Sequence, residues 1–355
     1  MFLISCQPAR LIWHNFADIG DHKIFPSHQL TASSAPFRIP SSAQSFLPEN
    51  FYSKTKYKSF EDFLEKSNTV ALLIIKDDSL LSENYSNNYN RNSIVPSFSI
   101  AKSYTSALVG IAIEEGLIKS VDEKVTDYLP ELKKNGFDKV TIKHLLQMTS
   151  GIKFNENYKS PFSEASSFYY GTDLRKLINK IEIIHEPGTH FNYVSGNTQL
   201  LAHILEKALN GKTISEYLNE KIWQPLGMEY DASWSIDSKK NNMEKAFCCI
   251  NARAIDFAKF GMLYLNKGKW NGRQIIPKHW IEESTKTETS DASPWYYQYQ
   301  WRKVSPESKE FYAAGWLGQY IYINPEKKLV IVRLGENFGD VNWIDIFSNY
   351  SKSLN

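Results

Sequence analysis

Apolar positions change their period twice along this chain. Val70 to Lys76 (VALLIIK) is an almost unbroken apolar run; Asp77-Asp78 interrupts it, and Leu80 to Tyr85 follows. That pattern predicts two strands joined by a turn. A short helix over Ser59–Ser67, with Phe60, Phe63 and Leu64 on one side, precedes them. After Pro96 the period lengthens. Ala101, Leu108, Ile111 and Ala112 recur at helical spacing as far as Gly116, which predicts a long apolar helix with a glycine stop. Further helices are expected over Thr141–Met148, Asp173–Ile184, Ser195–Leu209, Thr213–Trp223, Asn251–Leu265 and Pro277–Ser284, the fourth opening on the capping-box pair Thr213 and Glu216. The end returns to strands at Tyr297–Val304, Gly318–Ile323 and Lys328–Leu334, the last two joined by a turn at Asn324-Pro325-Glu326-Lys327.

Strands, then helices, then strands predict an α/β chain of the α+β type. Both ends pair into one antiparallel sheet flanked by helices, and the middle forms an all-helical lobe. Residues 1–50, with Pro26, Pro36, Pro40 and Pro48 and little periodicity, read as an extended lead segment on the body. Residues 51–355 form the main domain, its sheet lobe from about 51–115 and 240–355 and its helical lobe from about 116–239.

Composition narrows the partners. Hydrophobic residues make up 42%, enough for a full core, and the net charge of +2 is scattered without a basic run, which argues against nucleic acid. The aromatic share of 14% suits both a core and an aromatic-walled cleft for a small molecule. Three cysteines make no disulfide framework; Cys248 and Cys249 are adjacent and read as small buried hydrophobes without a bridge. Leu3-Ile4-Ser5-Cys6 resembles the tail of a bacterial lipoprotein signal, in which the cysteine carries a lipid and tethers the protein to a membrane; an accidental match is the alternative, since the charged and apolar stretches that belong before it do not stand in this sequence. No Cys/His pairing or His-Glu-x-x-His motif points to a metal.

The candidate chemistry begins with Ser-x-x-Lys, which occurs at Ser53/Lys56, Ser99/Lys102 and Ser150/Lys153. Only Ser99 opens a long apolar helix. Residues three apart share a helix face, so Lys102 can fold back onto the Ser99 hydroxyl. The helix start offers N–H groups to an oxyanion, and a buried lysine presented as the free amine can act as general base. An N-cap serine before a solvated lysine is the plain alternative. The turn-rich segment Glu186 to Asn197 puts Tyr193 where a phenol can relay a proton to a leaving group. In Ala313-Ala314-Gly315-Trp316, small residues admit substrate to the backbone and the Trp316 N–H supplies a second oxyanion donor beside that of Ser99. His203 reads as a packed helix residue; His190 adjoins Tyr193, and no G-x-S-x-G elbow supports a Ser-His-Asp triad.

Ser99-Ile-Ala-Lys102, Tyr193-Val-Ser195 and Ala-Ala-Gly315, in that order, resemble the motif set of the serine β-lactamase and penicillin-binding-protein superfamily. The stretches HLLQMTSGIKF, EPGTHFNYVSGNTQLLAHILE, IWQPLGM and GQYIYINPEKKLVIV are similar to its branch of esterases and 6-aminohexanoate-dimer hydrolase, and the likeness runs from about Val70 to Leu334. The resemblance implies a β-lactamase/transpeptidase-like fold, no cofactor, Ser99 as acylated nucleophile, Lys102 as base, Tyr193 as proton relay, and Ser99 and Trp316 amides as the oxyanion hole. It adds Ser195, Tyr158, Glu156 and Gly315 as substrate contacts and a periplasmic or envelope location, with the cytoplasm as the alternative; the aromatic run Trp295-Tyr296-Tyr297 reads as a further cleft wall or as surface loop. Two departures matter: Ala313 stands where a Lys or His usually begins the third motif, and Ser195 where many relatives have Asn. Both favour hydrolysis of a carboxylic ester or linear amide over β-lactamase or DD-peptidase activity. A catalytically silent binding or sensor protein on the same fold is the reading from another class. Oligomeric state is left open by the sequence.

Overall fold

The computed structural model describes residues 16–354, so Cys6 and its lipidation signal lie outside the described residues. The apolar run becomes β1 (Thr69–Lys76), buried from Thr69 to Ile75. It turns through Asp77 and Asp78, both at positive φ (50° and 58°), the pair of left-handed residues that a tight hairpin turn requires. The chain then returns as β2 (Ser79–Tyr85). The remaining strands of this sheet come from the far end: β3 (Tyr297–Gln298), β4 (Trp301–Lys303), β5 (Phe311–Gly315), β6 (Gln319–Asn324) and β7 (Leu329–Gly335). Their order is β2-β1-β7-β6-β5-β4-β3, antiparallel at every pairing.

Successive strand residues point to opposite faces, and both faces of this sheet are covered. Leu72, Ile74, Tyr322 and Ile331 join an aromatic cluster under the helices α1 (Phe60–Lys66) and, at the C-terminal end, Trp343–Ser353. Leu73, Ile75, Ile321 and Val330 face the larger core. That core is organised by α2 (Ala101–Glu114), α3 (Ser195–Ala208) and α4 (Ala254–Leu265). Helix α4 lies against β6 and β7, and α2 packs on α3. The space between residues 116 and 230 is filled by α3 and shorter helices. Ser27–Leu30 of the lead segment pairs with Ala232–Ser235 in a second, four-stranded sheet that includes Ile250–Ala252 and Val95–Pro96.

Several elements differ from expectation. The helix expected over Asp173–Ile184 covers only Leu174–Ile178, because Ile183 leaves the axis to bridge Ile152 and bond the Asn135 carbonyl. Ile250–Ala252 is a strand, and the helix expected from Asn251 begins at Ala254. Tyr297–Val304 breaks into two strands at Tyr299 and Gln300, both at positive φ. The strand Phe311–Gly315 and the C-terminal helix were not anticipated, although Trp343, Phe347 and Tyr350 have helical spacing. Cys248 and Cys249 are also corrected. Both are buried as expected, but they form a disulfide with each other. The backbone reverses there, with Cys249 at φ 74°, and this brings adjacent sulfurs together.

Candidate active site

The site begins where the chain leaves the small sheet. Phe98 sits at φ 44°, a conformation that costs a bulky residue energy and is held only by surrounding structure. Ser99 follows, half-buried, in the single 3-10 turn Phe98–Ile100, and α2 starts at Ala101. Ser99 therefore lies in the lead-in turn rather than on the helix. Its spacing to Lys102 survives: Nζ stands 2.9 Å from Ser99 Oγ. Helix α2 is buried from Ala101 to Ala112, which carries Lys102 inside at 1% exposure.

A buried ammonium or amine needs partners. Lys102 Nζ also donates to Ser195 Oγ at 3.1 Å and to the Phe247 carbonyl at 2.9 Å. All three partners are neutral oxygens; among the described residues no carboxylate pairs with it. Ser195 at the start of α3 is held in turn by Glu156, whose carboxylate accepts from its N–H at 2.7 Å and from its hydroxyl at 2.6 Å. Having given its one proton to Glu156, the Ser195 oxygen accepts from both Lys102 and the Tyr158 hydroxyl, the latter at 2.8 Å. Burial, with the Glu156 charge second, holds the Tyr158 phenol well above its usual pKa and so keeps it a donor. Ser195 was expected to touch substrate; at 0% exposure it does not, and instead it stands behind Lys102.

In front lies a cleft of about 260 Å³ bordered by Ser99, Glu156, Tyr158, Tyr193, Gly315 and Trp316. Tyr193 is half-buried, its ring centroid 5.2 Å from Lys102 Nζ and 4.8 Å from the Arg302 guanidinium carbon. The third motif is pressed against the Ser99 turn. A Cβ added to Gly315 would stand 2.4 Å from the Ser97 carbonyl oxygen and 3.2 Å from Phe98 Cβ. No side chain fits there, and glycine lets the strand end before Trp316 pack directly on the Ser97–Phe98 backbone that leads into Ser99.

The other Ser-x-x-Lys pairs are not assembled. Ser53 ends a surface helix while Lys56 pairs with Asp340, and the Ser150 hydroxyl bonds Asn197. His190 stacks near His185 and does not border the cleft. Of the expected aromatic wall, Tyr297 is buried behind Tyr193 and Trp295 and Tyr296 face solvent. His203 is buried, bonded to Glu206. Sequence reasoning missed Arg302, Tyr169 and Cys248, all on the cleft wall. For Arg302 a signal existed: it directly follows the alternating aromatic pattern Tyr297, Tyr299 and Trp301 and falls on the opposite face.

Known proteins resemble this arrangement. The β-lactamase family profile matches residues 58–340. A 6-aminohexanoate-dimer hydrolase of Paenarthrobacter ureafaciens is 27% identical over 309 residues, covering 79% of this chain and 76% of its own. A solved Bacillus anthracis protein, provisionally described as a 6-aminohexanoate-dimer hydrolase, superimposes with a TM-score of 0.77 at 25% identity, over 94% of this chain and 91% of its own. A solved family VIII carboxylesterase shares the fold at 16% identity and a TM-score of 0.63, over 80% of this chain and 92% of its own.

Proposed function

The chain belongs to the β-lactamase family, with its β-lactamase/transpeptidase-like fold and hydrolase character, and from that premise we propose that it cleaves a carboxylic ester or linear amide through an acyl-enzyme on Ser99. The observation that carries this reading is the 2.9 Å contact between Ser99 Oγ and a buried Lys102 whose other partners are neutral oxygens. As the free amine, Lys102 takes the hydroxyl proton while Ser99 Oγ attacks the substrate carbonyl. The oxyanion that forms accepts hydrogen bonds from the amides of Ser99 and Trp316, both residues bordering the cleft. Tyr193, beside Lys102, passes a proton to the departing alcohol or amine. Water then attacks the acyl group and regenerates Ser99. Glu156 and Ser195 act as positioning residues: they fix the oxygen against which Lys102 is held.

The test is a fluorophosphonate probe applied to the protein and to Ser99→Ala, with the adduct mapped by mass spectrometry. Labelling at Ser99 that disappears in the variant is expected, followed by turnover of short esters or amides. A folded protein that takes no label, or takes it on another serine, overturns the proposal.

A further inference from the structure

The lead segment does more than lie on the body, because its Ala17 borders the same cleft as Ser99. Three anchors hold it there. Ile19 and Phe25 are buried in the main core. Asp21, also buried, accepts from the Tyr169 hydroxyl at 2.7 Å and from the Asp18 N–H at 3.0 Å. The Phe25 ring meets Tyr169 edge-on, with centroids 5.2 Å apart. The 3-10 turn Asp21–Lys23 lies against Val95–Pro96, the strand that leads into the Ser99 turn. From this strap an aromatic wall runs along the cleft. Tyr169 adjoins Tyr158 at 6.1 Å between ring centroids, Tyr158 adjoins Trp316 at 6.3 Å, and Trp316 adjoins Phe338 at 5.3 Å. The hydroxyls of Tyr169 and Tyr158 are engaged by Asp21 and Ser195, so these rings offer carbon to a ligand. The charged groups on the cleft have partners as well, Glu156 in Ser195 and Arg302 in the Tyr193 hydroxyl. Such a wall gains affinity from each methylene it takes out of water, until the chain meets an obstacle. Ala17, half-buried and carrying only a methyl group, stands at the strap end of that wall.

We infer that the cleft takes an apolar acyl chain along Tyr158 and Tyr169, and that Ala17 of the lead segment is the stop that sets the chain's length. Tyr193 hands its proton to the leaving group, so that group departs beside Tyr193 and the wall of Tyr158 and Tyr169 is left to the acyl chain. This rests on the hydrolase reading for which part of the substrate lies there, and the experiment separates the two. Ser99→Ala, which cannot turn over, is titrated calorimetrically with a series of straight-chain methyl esters from methyl acetate to methyl decanoate. Affinity is expected to rise about fourfold per methylene and then level off where the chain meets Ala17. Adding Ala17→Phe should bring the levelling point to chains shorter by about two carbons or more, with the shorter esters still gaining affinity per methylene. Phe25→Ala, which loosens the strap, should move it to longer chains. A levelling point that stays in place in either variant overturns the inference. So does an affinity that never levels off, a loss shared equally by every ester, or no measurable binding of any. Should Ala17→Phe fail to fold, Ala17→Leu decides by the same criterion. Failure of the hydrolase reading registers elsewhere, as a Ser99 that takes no fluorophosphonate, while the levelling point requires no turnover.

Discussion

Two buried lysines on different helices, Lys259 and Lys102, show what distinguishes a site from a scaffold in this molecule. Lys259 on α4 is 0% exposed and lies 3.3 Å from Glu229, 3.4 Å from Asp256 and 2.8 Å from the Gly227 carbonyl. Arg91 extends that group by pairing with Glu229 and with Glu83, so each cation there faces carboxylates. Lys102 on α2 is equally buried yet faces two hydroxyls and a carbonyl. The first arrangement locks charge in place. The second places a nitrogen bonded only to neutral oxygens beside a nucleophile, directly behind the cleft that Ser99 borders.

Removing each lysine should therefore damage a different property. Lys102→Met is expected to reduce kcat/KM by about 10³–10⁴-fold while changing the unfolding free energy by no more than about 1 kcal/mol, since no carboxylate is stranded; urea melts and ester kinetics on the same sample check this. Lys259→Met should do the reverse. It strands Asp256, while Glu229 keeps Arg91, and should cost about 3–5 kcal/mol, with kcat per folded molecule unchanged. That deficit has a pH signature. Burial raises the Asp256 carboxyl to about 6, above its unfolded value, so the fold favours the neutral acid. The deficit is then largest above pH 6 and shrinks as pH falls toward 5; melts at pH 5 and 8 that give the same deficit break the comparison.

Two glycines sharpen it. Gly315→Ala in the cleft meets a backbone oxygen, Ser97 O, that has nowhere to go, and is expected to lower kcat by about 10–100-fold by parting Trp316 from Ser99. Gly261→Ala on α4 meets the side-chain methyls of Val330 and Ile321; repacking should cost about 1–3 kcal/mol with kcat retained. The smallest effect concerns Asp21, whose carboxyl accepts from Tyr169 on the cleft wall. Burial raises it to about 6, so its stabilising contribution is full below pH 3.8 and lost as pH rises through 6. Asp21→Asn should match the parent near pH 4 and exceed it by roughly 1–2 kcal/mol at pH 8, measured as the difference in unfolding free energy at the two pH values.

What the sequence by itself determined was local in its physics. β1 and β2 are legible because an apolar run and two turn-forming aspartates suffice to make a hairpin. The Ser99–Lys102 contact is legible because three residues of helical chain bring two side chains together whatever the rest of the molecule does. Motif order then located Tyr193 and Gly315 on either side of it. The third-motif strand was not legible, since it is too brief to establish a period and exists only by pairing with its neighbours; Tyr297–Val304 was legible as strand, but its break at Tyr299 and Gln300 was not. Tertiary structure alone decided the rest. Ser195 turned inward because Glu156, thirty-nine residues away, binds both its amide and its hydroxyl. Arg302 on β4 faces Tyr193, which lies just before α3. Each depends on contacts between segments far apart in the chain, whose geometry follows from packing the whole core; residue spacing carries no information about it.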